Sequence, residues 1–163
     1  MIDKLEISGV TIAAIALLGW SGYSIANTFI PQPETPVYVM ADGRHFWRVI
    51  DNLMNNICKY AQPGTRVYVD LRENGGQVEL IFLNTSRYPL NISSEELMER
   101  FVRGDESRNT EGSGLGISIA KSLMELMGGS FMLYVDGDLF KVVLGFAQME
   151  EEKEPLDEDK SGK

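Results

Sequence analysis

Two stretches of this chain have the residue types and spacing to handle a phosphorylated ligand. Residues 51–60 read Asp-Asn-Leu-Met-Asn-Asn-Ile-Cys-Lys-Tyr, and Asn52, Asn56 and Lys59 recur at three- and four-residue steps. Asn is a poor helix former, because its amide competes for backbone partners at a cost of roughly 0.5 kcal/mol relative to Ala. Three asparagines within five positions therefore call for a reason. One is chemical: an Asn carbonyl oxygen can ligate Mg2+ without adding negative charge beside a polyphosphate. Lys59 would supply a counter-charge to phosphate, and Tyr60 a flat ring for a base. The alternative is a solvated polar face that is merely Asn-rich.

The second stretch, Gly112-Ser113-Gly114-Leu115-Gly116, feeds a helix start, where unpaired N–H groups and the helix dipole attract anions. No Gly-Lys-Ser/Thr follows, so it is not a P-loop. It follows a polar loop and its third glycine is misplaced, so it is not a dinucleotide fingerprint. Alone, it reads equally as a flexible hinge.

The elements that must position these residues follow from periodicity. Asp42 is a suitable N-cap for a helix whose apolar face is Phe46, Val49, Ile50, Leu53, Met54 and Ile57. A strand is expected at 37–40 before it, and Gln62-Pro63-Gly64 stops it. Residues 65–71 and 77–83 alternate as strands about an Asn74-Gly75-Gly76 turn, and Asn84-Thr85-Ser86 ends the second. Ser93 to Glu96 opens a helix over 97–102. Residues 103–111 are polar and expected to be mobile. The glycine turn then starts a helix with Ile117, Ile119, Ala120, Leu123, Met124 and Met127 apolar, ended by Gly128-Gly129. A last hairpin runs over 131–135 and 139–146.

Composition narrows the function. At 163 residues, 44% hydrophobic and 24% charged, the chain is of globular type. A net charge of −9 argues against a general nucleic-acid binder. The single cysteine, Cys58, excludes an internal disulfide and reads as a small buried residue, while His45 reads as a surface or packing residue. Residues 10–30 carry no charge and approach the length of a membrane-spanning helix, diluted by Gly, Ser, Asn and Thr. A strand or helix buried in the core is the other reading of that segment. The expected division is an N-terminal hydrophobic segment and Pro-rich linker at 1–36, one domain at 37–148, and an acidic, disordered tail at 149–163.

In order, Asn52-x-x-x-Asn56-x-x-Lys59-Tyr60, Asn84-Thr-Ser, Glu99-Arg-Phe-Val-Arg103-Gly-Asp-x-Ser-Arg108 and Gly112-Ser-Gly-Leu-Gly116 resemble the N, G1, F and G2 boxes of the catalytic ATP-binding domain of sensor histidine kinases. That domain's superfamily also holds gyrase, chaperone and mismatch-repair ATPases. The resemblance covers roughly residues 37–146. It implies an α/β two-layer sandwich of the Bergerat type, a mixed sheet with helices on one face and an ATP lid. It further implies ATP and Mg2+ as cofactors, with Asn56 on the metal and Asn52 in support. Lys59 would meet the phosphates and Tyr60 line the adenine side. Gly112, Ser113, Gly114, Leu115 and Gly116 would bind phosphates through backbone N–H groups, and Arg103 and Arg108 would be lid cations.

The chain departs from the family pattern in two places. Asn84 stands where the family carries an Asp that accepts from the adenine amino group, and Ser86-Arg87-Tyr88-Pro89 replaces the glycine-rich continuation. No helical phosphoacceptor domain is present in cis, so the acceptor histidine would come from another domain or chain. Residues 4–12 resemble the approach to the family's first strand. The resemblance thus implies the ATP-binding half, truncated or rearranged, of a two-component kinase. Its expected partners are a dimerisation domain or intact kinase and a downstream response regulator. A cytoplasmic location would follow, with residues 10–30 as a membrane anchor if they span. A regulatory module that pairs with an intact kinase without catalysis is the alternative.

Overall fold

The computed structural model describes residues 2–7, 28–29, 37–103 and 115–149. Seven strands form one sheet: β1 (Asp3–Ile7), β2 (Thr28–Phe29), β3 (Val37–Ala41), β4 (Val67–Asn74), β5 (Gln77–Thr85), β6 (Ser130–Asp136) and β7 (Leu139–Met149). The order is β1-β3-β7-β5-β4-β2, with β6 also on β7. Every described pairing is antiparallel except the parallel β2–β4 contact, so the sheet is mixed. Three helices accompany it: α1 (Gly43–Tyr60), α2 (Ser94–Arg103) and α3 (Gly116–Leu126).

Helix α1 starts where its sequence says it should. The Asp42 carboxylate accepts from Arg44 N–H at 2.9 Å and His45 N–H at 3.2 Å, satisfying two donors of the first turn. All six residues of the expected apolar face are buried. They pack on one sheet face with Val39, Val69, Val78, Leu80, Phe82, Val142 and Leu144, and the Phe46 ring meets Phe146 edge-on at 5.8 Å between centroids. From α3, Ile117, Ala120 and Met124 join the same core, with Met127 just beyond its end.

Both hairpins turn on glycines in the left-handed region, Gly75 and Gly76 (φ 58° and 79°) and Gly137 (φ 60°). Several boundaries differ from expectation. Strand β4 begins at Val67 instead of residue 65, because the Thr65 N–H and hydroxyl both bond back to the Gln62 carbonyl and hold a turn. Strand β5 runs on through Asn84 and Thr85, which pair with Phe140 and Leu139. Strand β7 continues to Met149, because β3 pairs with Gln148 and Met149 beyond the end of β6. Helix α2 begins at Ser94, where the Ser93 hydroxyl accepts from Glu96 N–H at 3.2 Å.

Candidate functional site

The site is organised along one side of α1. Asn52 is held from within the helix: its Nδ2 donates to the Arg48 carbonyl at 2.8 Å, one turn back. That bond leaves Oδ1 free to face outward, and the neighbour it meets is the start of α3. A Cβ built on Gly116 would lie 3.2 Å from Asn52 Oδ1, a tight contact that a side chain there would relieve only by a shift of a few tenths of an ångström in the amide. Asn55, on the exposed side, makes the corresponding bond to Asp51 at 2.8 Å. The Asn-rich run thus divides into Asn55, which faces solvent, and Asn52, which lies against the start of α3.

Asn56 lies one turn beyond Asn52 and is half-buried. Further along, the Lys59 ammonium sits 5.2 Å from the Tyr60 ring centroid, a cation–π distance, and both residues are half-buried. From Asn52 to Tyr60 the helix advances about 12 Å, the scale of a triphosphate leading to a base. Helix α3 begins at Gly116 with no side-chain cap, so its first N–H groups are not covered by a capping side chain.

Asn84 is brought to the far end of this line. On β5 it alternates with Val78, Leu80 and Phe82, which places it on the helix-covered face. The end of α1 is bonded to the residues that follow it: Arg87 N–H to the Tyr60 carbonyl at 2.7 Å, and Gln62 N–H to the Thr85 carbonyl at 2.8 Å. Ala61 and Ser86 form an isolated bridge. Asn84 is only 3% exposed, its Nδ2 donates to the Thr85 carbonyl at 3.2 Å, and its Oδ1 has no partner. A buried acceptor left unmatched costs about 1–3 kcal/mol, which marks the position as kept for something other than stability.

Arg103 closes α2. Arg108, Gly112, Ser113 and Gly114 lie outside the described residues, whereas Leu115 and Gly116 lie inside them, directly before and at the start of α3. The structure therefore brings Asn52 against Gly116 on one side of α1, with Asn56 in line, and Asn84 to the Tyr60 end. Sequence reasoning missed the Arg48 and Thr85 carbonyls that orient Asn52 and Asn84. Backbone groups leave no signature in residue type.

Among the described residues, no three of His, Cys, Asp and Glu are grouped to hold a metal. The donors on this side of α1 are neutral amide oxygens instead. That set fits Mg2+, which takes one or two protein oxygens and completes its shell with water and substrate phosphate. Cys58 is half-buried, and burial pushes its thiol up to about 11, which keeps it protonated at neutral pH. His45 is half-buried in the first turn of α1, two turns before Asn52. Among the described residues, no helix is long and apolar enough to cross a membrane. Most of residues 10–30 falls outside them, and Thr28 and Phe29 form β2.

Comparison with known proteins agrees with the fold. The model of the histidine kinase-, DNA gyrase B- and HSP90-like ATPases matches residues 41–155. Probable sensor protein PcoS of Escherichia coli is 34% identical over 110 residues, 65% of this chain and 24% of PcoS. Probable sensor kinase SilS of Salmonella typhimurium is 31% identical over 117 residues, 71% of this chain and 24% of SilS. The chain thus spans about a quarter of the length of these relatives. In three dimensions it superposes on the catalytic domain of histidine kinase ThkA with a TM-score of 0.70, covering 90% of this chain and 95% of that one at 18% identity. The chain belongs to the histidine kinase-, DNA gyrase B- and HSP90-like ATPases, as a catalytic ATP-binding domain of the sensor histidine kinase type.

Proposed function

We propose that this chain positions Mg-ATP for phosphoryl transfer to a histidine supplied by another domain or chain. The observation that carries the reading is the contact between Asn52 and Gly116, which sets an amide-bearing helix and a glycine-opened helix start side by side. Asn56 is the residue we assign to Mg2+, with Asn52 supporting it and Lys59 meeting the phosphates. Tyr60 and Asn84 take the base end, and residues 112–116 offer backbone N–H groups to the phosphates. Arg103 and Arg108 are the proposed lid cations. Bound there, the metal would neutralise charge on the phosphates. The chain's own part is to orient the nucleotide and present fixed dipoles where charge develops. The catalytic unit is assigned to residues 37–148, on the cytoplasmic side, with a dimerisation domain or intact kinase as partner and a response regulator downstream.

The test is binding of a fluorescent ATP analogue to the full chain. Saturation is expected with millimolar Mg2+ and a loss of at least about tenfold in affinity when EDTA removes it. No binding at millimolar ligand overturns the proposal. Membrane attachment through residues 10–30 is a separate proposal: recovery of the chain in the soluble fraction after carbonate extraction would remove it.

A second reading, a regulatory module without catalysis, is favoured by one feature, the neutral Asn84 followed by Ser86-Arg87-Tyr88-Pro89 where the family has acid and glycine. It requires association with an intact kinase that ignores nucleotide. Strict dependence of that association on ATP discards it.

A further inference from the structure

The face of the sheet turned away from the helices carries apolar residues of its own. Along β5 and β7, Ile81 and Val143 alternate with the helix-facing Leu80, Phe82, Val142 and Leu144, and they stand opposite each other in register. Both are buried, at 7% and 4% exposure, although α1 and α3 send their buried residues to the other face. Beside them lie Tyr68 and Met132, each 39% exposed, with the small residues Gly145 and Ala147 further along β7. An antiparallel sheet whose second face meets water carries polar residues there, so this apolar patch calls for a cover.

The connectivity of the chain points to the occupant. Strands β2 and β3 are separated in the sheet by β4, β5 and β7, a distance of about 19 Å at the usual strand spacing. Register adds an offset along the strands: Phe29 pairs with Tyr68, level with Lys141 on β7, whereas Tyr38 pairs with Met149. Residues 30–36, Ile-Pro-Gln-Pro-Glu-Thr-Pro, join Phe29 to Val37, and fully extended they reach about 29 Å at most. They lie outside the described residues, while the strands at both their ends lie inside. So taut a connection has no slack to pass round the helix layer, and the open face is its direct path. Its composition suits that path. Pro31, Pro33 and Pro36 favour the extended polyproline conformation and have no N–H to leave unpaired over an apolar surface. Proline-rich segments dock on aromatic-bearing surfaces, and Tyr68 stands where the crossing starts. We propose that residues 30–36 dock across the open face of the sheet, from Tyr68 over Ile81 and Val143 toward the start of β3, and so tie the β2 edge to β3. This surface lies on the opposite side of the sheet from the amide-bearing side of α1, so the inference stands apart from the proposed nucleotide site.

The test is disulfide trapping in the full chain carrying Cys58→Ser, so that each introduced pair holds the only thiols. Gln32→Cys is paired with Glu79→Cys, half-buried on the open face next to Ile81, and as a control with Asn55→Cys, exposed on α1. Docking raises the local concentration of the first pair, which is expected to close at least about tenfold faster than the control under oxidised glutathione, with circular dichroism confirming the fold of each variant. Equal rates, or no closure of the first pair, overturn the proposal. A second readout needs no introduced cysteine: cleavage after Glu34 by a glutamyl endopeptidase, located by mass spectrometry. It is expected to be at least about fivefold faster in Tyr68→Ser than in the wild type, because the docked segment is released. An unchanged cleavage rate takes Tyr68 out of the contact and overturns the proposed path.

Discussion

Asn56→Asp is expected to lower the affinity for the Mg-bound ATP analogue by about 100-fold, equivalent to about 3 kcal/mol, while leaving the urea midpoint within experimental error. The change is small in volume and large in charge. Asn56 sits half-buried in line with Asn52, where a neutral oxygen tolerates both a divalent cation and phosphate. In the proposed binding mode a carboxylate there would face the phosphates at short range, and two like charges about 4 Å apart repel by about 4 kcal/mol at the effective dielectric of a protein surface. Attraction to the cation offsets part of that. Asn56→Ala removes the oxygen without adding charge and should lose less, on the order of tenfold. The pair of variants separates the two contributions. Wild-type affinity in Asn56→Asp would show that no phosphate lies near this side of α1, and the assignment of the metal residue would fall.

Leu53→Ala is expected to have the largest effect on stability. Leu53 is 2% exposed and lies on α1 between the two asparagines, with its side chain in the main core. Truncating such a leucine costs about 2–5 kcal/mol, from lost transfer energy and from the cavity that remains. Against a typical domain stability of about 5–15 kcal/mol, that is a large fraction of the total. Urea unfolding should show a lower midpoint with an unchanged slope. Leu126→Ala, at a position 65% exposed on α3, is the control and should shift stability by no more than about 0.5 kcal/mol. Equal effects at the two positions would contradict the packing of α1 on the sheet described above.

What the sequence made legible was what is encoded locally. The Asp42 cap and six apolar positions specify α1 without reference to the rest of the chain, and the glycine pair at 75–76 specifies a tight turn by its backbone conformation. The order of the four motifs carried the family for the same reason, since each is a short run of distinctive residue types. Pairings between distant segments were not legible. Nothing in residues 3–7 announces an antiparallel ladder with β3, and nothing in Thr28–Phe29 announces a parallel contact with β4. The extension of β7 to Met149 depends on β3 arriving beside it, a partner more than a hundred residues earlier. In the site, Asn52, Asn56 and Asn84 were readable as side chains. The orientation of Asn52 and Asn84 was not, because it is set by the carbonyls of Arg48 and Thr85.

The close approach of Gly116 to Asn52 bears on how this chain can evolve. Two positions 64 residues apart in sequence share one small volume, so a side chain gained at 116 presses on the amide at 52, which must give by a few tenths of an ångström. Changes at the two sites are then epistatic, and their effects should fail to add. A lineage that drifts at either position first would be committed to a narrower set of next steps at the other.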